Sequence, residues 1–330
     1  MCPLCQHKEV KTLYSGLEKV YRVDHFAIQK KLAIKKCDFC QVIFSDPQLT
    51  YEELKTYYSA DYGAFHVKKR NNFFGKIQNF IKEEILRQFF GYGQKKWWRF
   101  ALHPFKISLA HYPPKIANGR LLDIGCGAGN FLVNVKKLGY DVYGIDPSPI
   151  AVRVAKDQGL KNVYQGILEA GQFEKSFFDI ITMFHVFEHI INPRDTISEI
   201  KKILKPDGLL IISVPNFSSL GSKIFGKYWA GLSFPLHYFH YHKKYLSLLL
   251  ESYNFSLVNA YYANLFSDIF VSSPENILNL VNNYQPPPAL KKFLALSNLF
   301  WGGIDYLAGN SLAHFFKSGS QITVISKNNK

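Results

Sequence analysis

From Gly119 onward the chain alternates short apolar runs with stretches in which apolar residues recur every three or four positions. Leu121 to Ile124 reads as a short buried strand, and Phe131, Leu132, Val135 and Leu138 follow at helical spacing. DVYGID at 141–146 and NVYQG at 162–166 predict a second and third strand, and the apolar run ending at Phe184 a fourth. Ser148 and Pro149 are placed to cap and open the helix after the second strand. Asn192 and Pro193 open an amphipathic helix reaching Leu204, Pro206 to Gly208 make a turn, and GLLIISVPN is a further buried strand. SLVNAYY at 256–262 and QITVISK at 321–327 supply two more. Strands alternating with helices imply an α/β fold on a doubly wound parallel sheet, its ligand held at the carboxyl ends of the strands. Asp123, Asp146, His185 and Asn216 all fall at such ends.

Upstream the pattern changes. Residues 63–115 interleave lysine and arginine with phenylalanine and tryptophan, and Ile77, Phe80, Ile81, Ile85 and Phe89 fall near one helical stripe. Such a helix either lies in a membrane interface or docks its apolar face on the main domain as a cap. Before it, Thr50 with Glu53 has the arrangement of a capping box. Between the last two strands lies an insertion, about 264–318, with Pro286, Pro287 and Pro288 at its middle and an apolar run after them. It is too short and interrupted to span a bilayer, and reads as a lid over the acceptor or a segment dipping into a membrane. The divisions are 1–48, 49–116 and 117–330.

The 330 residues are 47% hydrophobic, enough for a sizeable core, and carry a net charge of +15. That charge calls for an anionic partner, a membrane surface or a phosphorylated substrate; nucleic acid is disfavoured because no recognised binding module accompanies it. With no run of about 18 uninterrupted apolar residues and no signal-peptide layout, a cytoplasmic chain is expected, at most peripheral to the inner membrane surface.

Four of the five cysteines form two C-x-x-C pairs, Cys2 with Cys5 and Cys37 with Cys40; the fifth is Cys126. In a cytosolic chain the pairs read as the knuckles of a zinc ribbon, four thiolates closing a structural tetrahedral site. Tyr14 and the run Tyr21 to Phe26 between them are strand-like, enough for a hairpin.

The chemistry starts at Gly119 to Gly129. Gly125, Gly127 and Gly129 form a turn between strand and helix that lets a ligand approach the main chain. A dinucleotide wants G-x-G-x-x-G, and here the third glycine comes one place early. Asp123 adds a carboxylate that repels a pyrophosphate and welcomes an ammonium group. Asp146 stands where an acidic side chain accepts both ribose hydroxyls. On Asp123 and the G-x-G-x-G that follows, the chain resembles the class I S-adenosylmethionine-dependent methyltransferases.

The resemblance extends to a bacterial subgroup associated with surface-polysaccharide or other glycan assembly. The matching stretches are the C-x-x-C module, F-S-D-P-Q at 44–48, Y-Y-S-A-D-Y at 57–62, the turn at Leu168, Glu169 and Ala170, H-V-F-E-H at 185–189, and P-L-H-Y-F-H at 235–240. It implies a Rossmann-like seven-stranded sheet with its last strand antiparallel. It also implies a donor site of Asp123, Gly125, Cys126, Gly127, Gly129, Asp146, Pro147, Leu168, Glu169 and Phe184. Methyl transfer needs alignment and, for a hydroxyl or carbon acceptor, a base. His185 and Glu188 are the first candidates and His237 and His240 the next. His185, Glu188 and His189 are alternatively a divalent-metal set, as in a related methyltransferase family. The leading expectation is methylation of a nucleotide- or lipid-linked sugar or glycan intermediate. The alternatives are O-methylation of a small molecule, lipid or quinone, a nicotinamide-dependent oxidoreductase, and a non-catalytic membrane adaptor.

Overall fold

The computed structural model describes residues 1–17, 32–50, 73–266, 268–272, 297, 304–305 and 309–330. The strand-like run at 21–26, Glu53 of the capping box, the tyrosine stretch at 57–62 and most of the predicted insertion lie outside them.

The central strand is β4 (Arg120–Ile124), whose Leu121, Leu122, Asp123 and Ile124 are all buried because helices cover both of its faces. It pairs in parallel with β5 (Asp141–Asp146) on one side and β7 (Phe178–Phe184) on the other, so that Asp123 lies level with Gly144 and Thr182. Beyond β5 comes β6 (Asn162–Gln165); beyond β7 come β8 (Leu204–Pro215), β11 (Gln321–Asn328) and β10 (Phe255–Ala263). The chain thus runs outward from β4 through β5 and β6, then crosses back to β7, and this reversal leaves a crevice at the carboxyl ends of β4 and β7. β11 runs antiparallel to both β8 and β10, as expected for the last strand.

β8 departs from the sequence reading. Its ladder with β7 passes from Phe178–Leu204 to Ile180–Leu209, so residues 205–208 bulge out of register opposite a single residue. The predicted turn is therefore an excursion inside one strand, and Leu204 belongs to the sheet rather than to the preceding helix.

One face of the sheet, with Leu121, Ile180 and Ile211, packs on Ile85 and Leu86 of α1 (Phe73–Phe89), on Leu109 and Tyr112, on α2 (Asn130–Lys136) and on α3 (Pro149–Asp157). Ile81 and Phe89 join them, so this part of the basic segment's apolar stripe packs on the sheet as a cap, while Phe80 is exposed. Glu84 of α1 is buried, with Arg99 Nε at 2.5 Å and Arg87 NH1 at 2.7 Å, which ties α1 to the 3₁₀ run Trp97–Leu109. The other face, with Leu122, Ile181, Leu210 and Ile212, packs on α4 (Pro193–Ile203), α5 (Lys243–Glu251) and the N-terminal residues.

Those N-terminal residues form β1 (Val10–Ser15), β2 (Ala33–Cys37) and β3 (Ile43–Asp46), an antiparallel sheet whose fourth strand comes from far along the chain. β9 (Phe239–His240) pairs with β3, Ile43 opposite His240 and Phe44 opposite Phe239. Cys2, Cys37, Phe44 and Leu49 share one core with Phe187, Tyr238 and Tyr241. Among the described residues no helix is long and apolar enough to cross a membrane.

Ile85→Ala will lower the unfolding free energy by about 2–5 kcal/mol in urea titrations, the usual cost of truncating a fully buried isoleucine. A loss below about 0.5 kcal/mol would show that α1 does not pack on the sheet.

Candidate functional site: the carboxyl edge of the sheet

The turn after β4 is fixed by geometry that only glycine satisfies at two places. Gly125 and Gly129 have φ of +74° and +77°; a Cβ on Gly125 would overlap the Val186 side chain, and one on Gly129 would overlap Leu160. Gly125 N and Cys126 N both donate to Ile145 O, at 2.7 and 3.1 Å, which folds the turn onto the end of β5. There Asp146 accepts from Gly127 N (2.8 Å) and Ser148 N (2.9 Å), one amide to each carboxylate oxygen. Each oxygen keeps capacity for another donor, as two vicinal hydroxyls would supply.

Asp123 lies deeper, with Thr182 Oγ1 donating to it at 2.7 Å. Burial pushes its carboxyl up to about 7; the Thr182 hydrogen bond opposes this and the charge of Asp146 adds to it. Burial raises Asp146 as well, against the pull of its two amides. Neither carboxylate has an ion-pair partner among the described residues. The crevice is electrically suited to a cationic ligand and hostile to a diphosphate.

The other predicted donor-site residues share this edge. Pro147 and Glu169 are exposed and Leu168 is half-buried. Phe184 meets Phe131 edge-on at 4.8 Å. Cys126 contributes its backbone to the turn, while its buried sulfur fills the space beside Gly144, where a Cβ would sit 2.7 Å away.

On the other side of the crevice, His185 follows β7 with φ of +55°, an uncommon conformation for a residue with a side chain, anchored by His185 N donating to Ser213 O at 2.9 Å. Its ring is half exposed, and Nδ1 stands 3.5 Å from Glu188 Oε1. Glu188 is almost wholly buried, and neither carboxylate oxygen has a hydrogen-bond partner among the described residues. Burial would lower the His185 pKa, but the close carboxylate of Glu188, with help from Gln321, outweighs it and raises the ring above its ordinary value.

His237 Nε2 approaches Glu188 Oε1 at 4.0 Å, while its Nδ1 donates to Gly231 O at 3.0 Å. Burial and the neighbouring His189 and His240 hold His237 neutral, well below the usual histidine value. His189 meets the His237 ring edge-on at 4.7 Å and bonds Leu236 O through Nδ1. His240 stands apart from this group: its Nε2 turns to Ser45 Oγ at 3.2 Å, and burial pushes it down to about 3. The structure therefore brings two of the predicted catalytic residues, His185 and His237, to a third, Glu188, and turns the fourth, His240, toward the N-terminal sheet.

Two groups of side chains have the donor sets of metal sites. Cys2, Cys5, Cys37 and Cys40 bring their sulfurs within 4.8 Å of one another, with Cys2–Cys40 and Cys5–Cys37 both at 3.6 Å. A tetrahedral zinc with bonds of about 2.3 Å requires sulfurs about 3.8 Å apart, so the four fit that ion. Glu188, His189 and His237 also bring one ligand atom each within 4.8 Å of one another. Two imidazoles and an unpartnered carboxylate suit a borderline divalent ion.

Sequence reasoning missed a cavity of about 230 Å³ lined among others by Ser108, His111, Tyr261, Asn310, Gln321 and Thr323. His111 meets Phe184 edge-on at 5.8 Å, which places the cavity next to the donor crevice. Gln321 bonds Ser213 Oγ at 2.5 Å and also interacts with His185. Its place at the start of β11, on the edge where the parallel strands end, was the available signal.

A methyltransferase-domain family model matches residues 97–260. The ubiquinone biosynthesis O-methyltransferase of Pasteurella multocida (strain Pm70) is 31% identical over 169 residues, covering 42% of this chain and 67% of that protein. That of Xanthomonas euvesicatoria pv. vesicatoria is 28% identical over 160 residues, 44% of this chain and 66% of the relative. This chain thus matches less than two thirds of the Xanthomonas protein's length. A SAM-dependent methyltransferase structure from Archaeoglobus fulgidus aligns over 78% of this chain and 100% of that one, at 17% identity and a TM-score of 0.44. The sequence match spans the glycine turn, both aspartates and the His185–Glu188 pair, and the chain belongs to the S-adenosylmethionine-dependent methyltransferase family.

Proposed function

We propose that the chain transfers the sulfonium methyl group of S-adenosylmethionine to a ring hydroxyl of a small acceptor, with His185 as base. The observation that carries this reading is Glu188, a buried carboxylate with no hydrogen-bond partner among the described residues, set 3.5 Å from the Nδ1 of a histidine at the crevice. In the neutral ring Nδ1 keeps its proton toward Glu188, and Nε2 is left to take the acceptor's hydroxyl proton as the oxygen attacks the methyl carbon. Glu188 stabilises the imidazolium that results. Asp146 binds the ribose hydroxyls, and Asp123 provides negative charge near the donor's amino group.

The relatives named ubiquinone biosynthesis O-methyltransferases support the quinone-type alternative more than methylation of a glycan. We further propose that the four cysteines hold a structural zinc that fixes the turns flanking β1 and β2.

Incubation with methyl-labelled S-adenosylmethionine will methylate catechol-type acceptors and leave nucleotide sugars unlabelled. Label in the sugars with none in the phenols would overturn the acceptor assignment. The base must be neutral to act, and its pKa is raised, so the rate will climb with pH through a limb lying above the ordinary histidine value of 6.5. Glu188→Gln will lower kcat by roughly 10²–10⁴-fold and move that limb to lower pH; an unmoved limb would remove His185 from the role. Elemental analysis of the purified protein will find one zinc per chain, lost in Cys37→Ser, whereas zinc-free folded protein would contradict the cysteine site.

A further inference from the structure

The segment carrying His237 is not held by the seven-stranded sheet alone. Ser45 lies in β3, almost 200 residues earlier in sequence, and is fully buried. Its hydroxyl donates to His237 O at 2.6 Å, and its backbone N–H donates to Tyr238 O at 2.9 Å. A hydroxyl has one proton, so with that proton committed to His237 O, Ser45 Oγ accepts from His240 Nε2 at 3.2 Å. This sets the His240 tautomer, with the proton on Nε2. Tyr238 N in turn donates to Glu188 O at 2.8 Å, and Tyr238 Oη donates to Leu49 O at 2.5 Å. Ser45 is thus bonded to three consecutive features of the segment: the carbonyls of His237 and Tyr238 and the ring of His240. The same segment presents His237 Nε2 to Glu188.

We propose that Ser45 is a positioning residue for methyl transfer, supplied by the N-terminal sheet, whose hydroxyl fixes the backbone at His237 and so sets that imidazole against Glu188. The inference rests on the reading of Glu188 as the carboxylate that supports the base. Without the Ser45 hydroxyl, His237 O and His240 Nε2 are both left buried and unpaired, and the segment relaxes to satisfy them. The His237 ring then moves relative to Glu188, and the field that Glu188 experiences beside His185 changes. On this account the N-terminal sheet contributes to the active site through Ser45.

The test compares Ser45→Ala with Ser45→Thr, which restores a hydroxyl, in the full chain. Three readouts are taken: histidine ring ¹⁵N spectra, the affinity for S-adenosylhomocysteine, and the pH profile of kcat. Ser45→Ala is expected to shift the ring nitrogens of His237 and His240, to lower kcat by roughly tenfold or more, to displace the pH limb, and to leave donor affinity within twofold of the parent. Ser45→Thr is expected to restore the ring spectra and most of kcat. Unshifted ring nitrogens in Ser45→Ala overturn the proposal. So does a shift with kcat and pH limb unchanged, or a loss of kcat and donor affinity together at an unmoved limb, which is the pattern of general destabilisation. Failure of the underlying reading is separately visible: undiminished activity in Glu188→Gln removes the carboxylate's role, and the Ser45 proposal with it.

Discussion

The site depends on two backbone amides closing on one carboxylate. Gly127 N and Ser148 N come from turns after adjacent strands, and Asp146 takes one on each oxygen. That bridge holds the turn after β4 against the end of β5, with the amides of Gly125 and Cys126 bonded to Ile145. It also leaves a carboxylate at the edge of the crevice, with a second one, Asp123, behind it. Burial pushes the Asp123 carboxyl up to about 7, and repulsion from the charge of Asp146 adds to it. A cationic ligand relieves this repulsion, and a diphosphate would aggravate it.

The opposite side of the crevice follows the same logic with the signs arranged differently. Glu188 is a buried acid without a hydrogen bond among the described residues, which is costly on its own. Three imidazoles surround it, of which His185 reaches solvent and has its pKa raised, while His237 is sealed in and kept neutral. One carboxylate therefore faces one histidine able to charge and another that is not. That division of roles makes His185 the natural proton acceptor and His237 a neutral neighbour whose position matters.

Much of this was legible in the sequence where the signal is local. The glycine spacing, Asp123 one place before the turn, the alternating strands and helices, and the paired cysteines each depend on residues close together in the chain. What escaped were contacts between distant segments. Nothing in FPLHYFHYH says that two of its residues pair with a strand, β3, that starts at Ile43, so His240 read as catalytic although it bonds Ser45. The aromatic, basic stripe of α1 fits a membrane interface and a sheet equally well, because both ask for the same amphipathic pattern; Ile85 and Leu86 lie on the sheet. The cavity beside His111 arises where β10, β11 and the 3₁₀ run converge, and no single stretch encodes it.

Calorimetric titration of S-adenosylhomocysteine and of NADH into the protein and into its Asp146→Asn variant tests the central claim most directly. The account predicts tight binding of the homocysteine ligand to the parent, a large loss in the variant, and no heat from NADH in either. Saturable NADH binding that competes with S-adenosylhomocysteine and survives the substitution would contradict it.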